Sequence, residues 1–230
     1  MDGYLLVNKP TGISSFGVVA RIRRILSDEL GQKVKVGHTG TLDPEAEGLM
    51  ILVIGTYCRR ASEFSKLDKT YKVELILGMT STTGDKEGEI SKSSTRRPDQ
   101  VEVDKVLNKF IGDIWQTPPA YSAVKIDGQR AYKLARAGKK VTIEPRKIYI
   151  ESIGDASYNY PKISFLTEVS SGTYIRSLVS DIGQELGTGA YMSALVRTKI
   201  DNYDLGKAVS LEGLGFKTIQ DSLKQLPSHP

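Results

Sequence analysis

Cysteine is nearly absent from this 230-residue chain: Cys58 stands alone, so no internal disulfide can form and a reducing compartment suits the sequence. Histidine is almost as scarce, with His38 in the body and His229 in the tail. One cysteine and one central histidine are too few ligands for a thiolate–histidine metal site, which argues against zinc and redox chemistry. Cys58 itself reads as a small, partly buried hydrophobe. No apolar run approaches the roughly 18 residues needed to span a bilayer, so no membrane segment is expected. The opening MDGYLLVNKP carries an acid and a lysine where a secretory signal needs a basic head and an apolar stretch. A cytoplasmic location follows as the expectation. Internal repeats and low-complexity linkers are also missing, and residues 1–230 read as one domain.

What is present in excess is positive charge, and it is local. The net charge is +5 and the pI about 9.1. Between residues 120 and 147 lie Lys125, Arg130, Lys133, Arg136, Lys139, Lys140, Arg146 and Lys147, opposed by Asp127 and Glu144. A solvated helix face would explain such a run. Tyr121 and Tyr132, interleaved with the bases, point instead to nucleic acid, because phosphates need cations and bases need stacking surfaces.

Hydrophobic periodicity changes repeatedly along the chain. Residues 4–7 predict a strand, followed by the turn Lys9-Pro10-Thr11-Gly12. Ser14 or Ser15 caps a helix predicted through about residue 26, with Val18, Val19, Ile22 and Ile25 on one face. Residues 49–54, 71–77, 121–126, 147–153 and 163–169 read as extended, and residues 101–111 as helical. The clearest helix covers residues 173–186, with Ile175, Leu178, Val179, Ile182 and Leu186 as its apolar stripe and Arg176 beside the core-facing edge. The polar stretch 80–100 reads as a loop or hairpin. Strands outnumber helices without regular βαβ alternation, which predicts an α+β fold with a mixed, mostly antiparallel central sheet. A basic projection is expected at about residues 112–145.

The segment GHTGTLDPEAEGL, residues 37–49, crowds glycines and a proline around Asp43 between apolar strands. Loops at strand ends often carry functional residues. Asp43 can equally serve to start a turn at Asp-Pro. The Gly-His-Thr-Gly form would suit a backbone-clamping loop of the KH type, but no helix starts cleanly after it. A phosphate loop would need Gly-Lys-Ser/Thr, which is absent. His38 can act as a general acid or base, or can make a structural hydrogen bond within the loop.

An ordered series over nearly the whole chain resembles the TruB family of tRNA pseudouridine synthases. It begins with Asn8-Lys9-Pro10-Thr11-Gly12 and Ser14, then Gly37-His-Thr-Gly-Thr-Leu-Asp-Pro44 and Gly48. Lys69, Tyr71, Leu77-Gly78, Thr83, Asp85 and Gly88 follow, then Gln116-Thr-Pro-Pro-Ala-Tyr-Ser-Ala-Val-Lys125. Gly172-Thr-Tyr-Ile-Arg-Ser-Leu178, Asp181-Ile-Gly183, Leu195 and Arg197 complete it. The aspartate loop and the Gly-Thr-Tyr-Ile-Arg-Ser-Leu stretch together are highly specific.

The resemblance implies that uridine is isomerised to pseudouridine at position 55 in the T loop of tRNA, without a cofactor or metal. It implies a catalytic Asp43, Tyr71 stacked on the target base, and Arg176 paired with the aspartate. It also implies Leu195 as an apolar pocket contact, His38 near the flipped nucleotides, and Lys9 either in a structural role or on RNA. The stretch after Gln116 matches an RNA-clasping insertion, which assigns Tyr121, Lys125, Arg130, Lys133, Lys139 and Lys140 to the substrate. Glu45 and Glu47 depart from the apolar, small or hydroxyl residues usual there, Ser170 and Ser171 from a usual cysteine and lysine, and Val196 from a frequent arginine. The expected form is short, lacking the C-terminal PUA-type domain, and works as a monomer with no obligate protein partner. Two other readings stay open: a non-catalytic RNA-binding or RNA-folding protein, and the catalytic subunit of an RNA-guided pseudouridylation complex.

Overall fold

A computed structural model describes residues 1–226 except 123, 127 and 140. Along the chain come β1 (Gly3–Lys9), α1 (Ser15–Leu30), β2 (Val36–His38), β3 (Glu47–Ile54), α2 (Ala61–Ser65) and β4 (Lys69–Leu77). Then follow β5 (Met79–Ser81), β6 (Ile90–Lys92), α3 (Gln100–Lys109), β7 (Gly112–Gln116), β8 (Lys125–Ile126), β9 (Gln129–Arg130) and α4 (Ala131–Arg136). The last elements are β10 (Arg146–Asn159), β11 (Lys162–Val169), α5 (Ile175–Glu185), β12 (Ala190–Ile200), β13 (Tyr203–Asp204), β14 (Val209–Ser210) and α6 (Phe216–Ser222). The architecture is mixed α and β with a largely antiparallel sheet, as the sequence predicts.

The chain packs as two compact units, one made of residues 1–71 with the chain from Val196 onward, the other of residues 72–195. Both boundaries fall inside strands, β4 and β12, which is why no linker composition marks them.

In the first unit β3 is central. Residues 49–54 have no exposure at all, so their unbroken apolar run reflects burial on both faces. β1 lies antiparallel beside β3, from Gly3 against Ile54 to Lys9 against Gly48, and β14 adds in parallel to β1. β2 is antiparallel to β3, and the end of β12 runs parallel to it through Val196 and Arg197. Tyr4, Phe64 and Tyr203 pack ring against ring at 5.3–5.9 Å below this sheet's core residues Leu6, Leu49 and Ile51. α1 starts where expected: the Ser14 hydroxyl accepts from Gly17 N–H at 3.0 Å, and Gly31 ends the helix in the left-handed conformation. Its fully buried stripe ends on Leu26, not on the predicted Ile25, which is half-buried.

In the second unit the sheet order is β12, β4, β11, β10, β7. β10 is antiparallel to β11 and β7, and two register shifts let it run longer than the predicted 147–153. α5 matches its predicted stripe, with Ile175, Leu178, Val179 and Ile182 buried. The 80–100 stretch is a hairpin, β5 against β6. The predicted strand 121–126 is mostly irregular, with β8 its extended part; β12 was not predicted.

Candidate active site

Asp43 lies half-buried in the loop that enters β3. The Ala46 N–H donates to the Asp43 carbonyl at 3.1 Å, so Asp43-Pro44-Glu45-Ala46 is a turn with proline where its fixed φ fits. The turn reading and a functional reading of Asp43 therefore coexist.

Three buried side chains hold this loop. The Ser15 hydroxyl donates to the Leu42 carbonyl and accepts from the Leu42 N–H, both at 2.8 Å. Lys9, with no exposed surface, donates from Nζ to the carbonyls of Pro10 and Ile13 at 2.8 Å and of Pro44 at 3.1 Å. Arg197, 1% exposed, donates from Nε to Leu49 at 2.7 Å, from Nη2 to Gly40 at 3.1 Å and from Nη1 to Thr41 at 3.5 Å. Carbonyls on both sides of Asp43 are thus tied to fixed cations. Gly48 makes the approach feasible: its φ is +111°, and a Cβ there would collide with the Arg197 backbone.

Burial pushes Lys9 down to about 8, while Asp43, Glu45 and Glu47 pull it up and Arg197 pushes it down. Lys9 therefore still carries its charge at neutral pH and lies in the field of Asp43. Lys69, which donates to the Ser65 carbonyl at 2.8 Å and to that of Leu67, is also pushed down to about 8 by burial and then by Arg197. The same two causes lower His38 and favour its neutral imidazole. Among the described residues its Nδ1 has no hydrogen-bond partner, so the structural bond weighed for it is not made by that atom. Tyr71, 8% exposed, closes this unit on β4. Glu47, one of the two unusual acids, is exposed.

In the second unit Arg176 is 7% exposed on α5. Its Nε lies 3.5 Å from the Asp85 carboxylate, and its Nη atoms donate to the carbonyls of Thr83 and Tyr121 at 2.9 Å. Asp85, 2% exposed, also accepts from the Thr83 hydroxyl and from the Glu87 N–H at 3.1 Å. Gln116 holds the start of α5, donating to the Tyr174 carbonyl at 3.1 Å and accepting from its N–H at 2.8 Å. Ser177 donates to the Thr117 carbonyl at 2.8 Å. The root of the basic projection is thereby fastened to the helix that carries Arg176. Leu195, 8% exposed, ends this unit.

These features match a known family over most of the chain. The family described as TruB family pseudouridylate synthase (N terminal domain) covers residues 23–175. The chain belongs to it. A second description, tRNA pseudouridylate synthase B C-terminal domain, covers residues 176–225. The tRNA pseudouridine synthase B of Aquifex aeolicus is 45% identical over 92% of this chain and 73% of its own length. That of Opitutus terrae is 39% identical over 98% and 92%, and that of Burkholderia mallei 40% over 95% and 70%. Among solved structures, a Cbf5-Nop10-Gar1 complex matches with a TM-score of 0.71 at 28% identity, over 92% of this chain and 53% of that one. An H/ACA RNP bound to a substrate RNA containing 2'-deoxyuridine matches in fold, with a TM-score of 0.69 at 24% identity, over 96% and 56%. The chain spans about half the length of these two solved chains.

Against the TruB pattern the candidate RNA contacts fall as follows. Lys125 and Arg130 face each other in the β8–β9 hairpin and are exposed, as are Lys133 on α4 and Lys139 after it. Tyr121 is half-buried. Lys140 lies outside the described residues. Lys9, the remaining candidate, offers no surface to RNA, because its ammonium group is spent on three carbonyls. Asp85 and Arg197 belong to the resemblance but had no site role in the sequence reading, and Ser15 was read only as an alternative to Ser14 for the helix cap, which Ser14 provides. A buried arginine in a strand and an aspartate in a polar hairpin give no local signal of their partners.

Proposed function

We propose that this chain isomerises uridine to pseudouridine in tRNA, at the T-loop uridine of position 55, with Asp43 as the reacting carboxylate. The observation that carries the reading is the clasp on the Asp43 loop by buried Lys9, Ser15 and Arg197. A carboxylate with a single chemical task must be held still, and buried cations favour its charged form. The names of the curated relatives support tRNA as the substrate.

The reaction breaks the bond between base N1 and ribose C1′, turns the base, and forms a bond from C5 to C1′. The C5 proton leaves and N1 gains one, so product and substrate are isomers and no electron is gained or lost. Asp43 acts on the base, on C1′ or on the C2′ proton. Arg176 serves as its counter-ion, suited by a charge that persists when dry. The uridine must leave its stack, and Tyr71 offsets part of that cost by stacking, at about 1–3 kcal/mol per base. His38 and Leu195 complete the pocket, and the exposed bases of the projection hold phosphates. The chain works as a monomer, needs no protein partner and acts in the cytoplasm.

The test is purified chain with unmodified tRNA, without guide RNA, scored for pseudouridine at single-nucleotide resolution. Asp43→Asn is expected to abolish turnover while RNA affinity stays within about tenfold, or about 1.4 kcal/mol. Turnover by the variant within tenfold of wild type would falsify the role of Asp43. A wild-type chain that binds tRNA without modifying it would favour the non-catalytic reading.

A further inference from the structure

The sheet of the second unit ends on β7, and this end strand carries the chain's single tryptophan. Alternate residues of a strand share a face, so Asp113 and Trp115 point the same way. The register sets Lys147 of β10 opposite Trp115, and Tyr149 opposite Asp113. These four side chains make a square on one face. Along one diagonal the Lys147 ammonium meets the Asp113 carboxylate at 2.9 Å. Along the other lie two aromatic side chains, Trp115 at 70% exposure and Tyr149 at 45%. We propose that Trp115 and Tyr149 form a stacking platform for two adjacent unpaired nucleotides of RNA. The proposal rests on the reading of the chain as a protein that acts on RNA, not on the role of Asp43.

A single exposed aromatic is ordinary, but two on one face of an end strand form a surface with a definite shape. Among the described residues no other ring and no guanidinium stacks on either side chain. Diagonal neighbours across an antiparallel pair lie roughly 7–8 Å apart, a separation that adjacent nucleotides of an extended strand can span. Aromatic residues on an open sheet face hold unpaired bases in this way. The charges decide between RNA and a protein partner. Lys147 and Asp113 are 60% and 59% exposed, so their ion pair is hydrated and splits the two rings. A protein covering this face would have to dry that pair, which is costly. Bases stacked on the rings leave it in water. Position supplies the rest. β7 leads into the basic projection and β10 leads out of it, with Gln116 against Arg146 as the next pair. Residues 120–147 carry eight bases against two acids. A polyanion drawn to the projection therefore meets the platform at its root.

Because the chain has one tryptophan, its emission reports on this face directly. The experiment titrates the full chain with a single-stranded adenosine RNA of about ten nucleotides, and with a blunt RNA duplex at the same salt. The single strand is expected to quench the emission saturably, and the duplex to quench it far less. Trp115→Leu and Tyr149→Leu should each weaken single-strand binding by about fivefold or more while duplex binding stays within about twofold. Trp115→Phe should keep most of the affinity, since it keeps a ring. Thermal melts show that each variant folds. Absence of saturable quenching overturns the proposal, as does a Trp115→Leu variant that binds the single strand as wild type does. Equal loss of single strand and duplex also overturns it, because the change would then lie in phosphate contacts. Self-association of wild type in sedimentation, abolished by Trp115→Leu, would assign the face to a second copy instead. Pseudouridine formed by wild type on unmodified tRNA is scored separately. Its absence would sink the proposed function and leave the platform to be judged on quenching and binding.

Discussion

Arg176 and Asp85 form an ion pair in which each partner is almost dry, so loss of the guanidinium takes from the Asp85 carboxylate the cation beside it. Breaking a buried pair from one side typically costs about 3–5 kcal/mol. Arg176→Met is expected to lower urea stability by an amount of that order and to remove turnover. Adding Asp85→Asn should recover part of the stability, since the stranded carboxylate is gone, but none of the turnover. Recovery of both would make Arg176 a structural residue and no more. Arg176→Lys should restore charge without the fork that reaches Thr83, Tyr121 and Asp85 together, and so rescue only partly. Asp181 behaves differently because it has no partner. Its folded-state value is raised, so its contribution to stability is full below the ordinary carboxyl range and is lost as pH rises through about 6. Asp181→Asn should therefore melt at a higher temperature than wild type at pH 8 and equally at pH 4. A gain of the same size at both values would show that the carboxylate is not the cause.

The loop that carries Asp43 depends on a strand far along the chain. Arg197 on β12 supplies donors to Gly40, Thr41 and Leu49, and removing the guanidinium removes all three bonds. Charge-assisted bonds of this kind are worth about 1.5–3 kcal/mol each. Arg197→Met should cost several kcal/mol in denaturant melts, and should lower kcat much more than RNA affinity, because the loop moves while the exposed lysines of the projection do not. Arg197→Lys should keep the charge and recover part of each effect. An affinity loss as large as the kcat loss would count against a role in positioning. The basic projection is a separate element with a separate expectation. Lys125, Arg130 and Lys133 are exposed on β8, β9 and α4. Neutralising all three should weaken tRNA binding and reduce the slope of log affinity against log salt by roughly 0.7–0.9 per lost phosphate contact. Turnover at saturating RNA should change little. An unchanged slope would mean that the stretch is a solvated face.

At the scale of the whole molecule, the chain should convert unmodified tRNA alone, with a specific activity independent of its own concentration and of added chelator. The reasons are that the reaction exchanges no electrons or groups and that the proposed residues all come from one chain. A requirement for a second protein would favour the assembly-dependent reading. Much of this protein was legible from local pattern. The α1 cap at Ser14, the buried run in β3, the α5 stripe and the basic excess after residue 120 each depend on neighbours a few residues apart, and periodicity or composition reports such neighbours directly. The order of motifs was enough to show the family, and it is the basis on which Asp43, Tyr71 and Arg176 are proposed. Other features depend on partners distant in sequence, and only the tertiary structure decided them. Arg197 interrupts the apolar alternation of β12, and so hid that strand, because its charge is satisfied by carbonyls more than a hundred residues earlier. Lys9 reads as a possible RNA contact until its three acceptors show that it is a buried post. Asp85 acquires its partner, and Asp181 its solitude in a cleft, only when α5 packs beside the projection. Burial and hydrogen-bond satisfaction are properties of what surrounds a group in space, and the sequence near these residues does not contain that information.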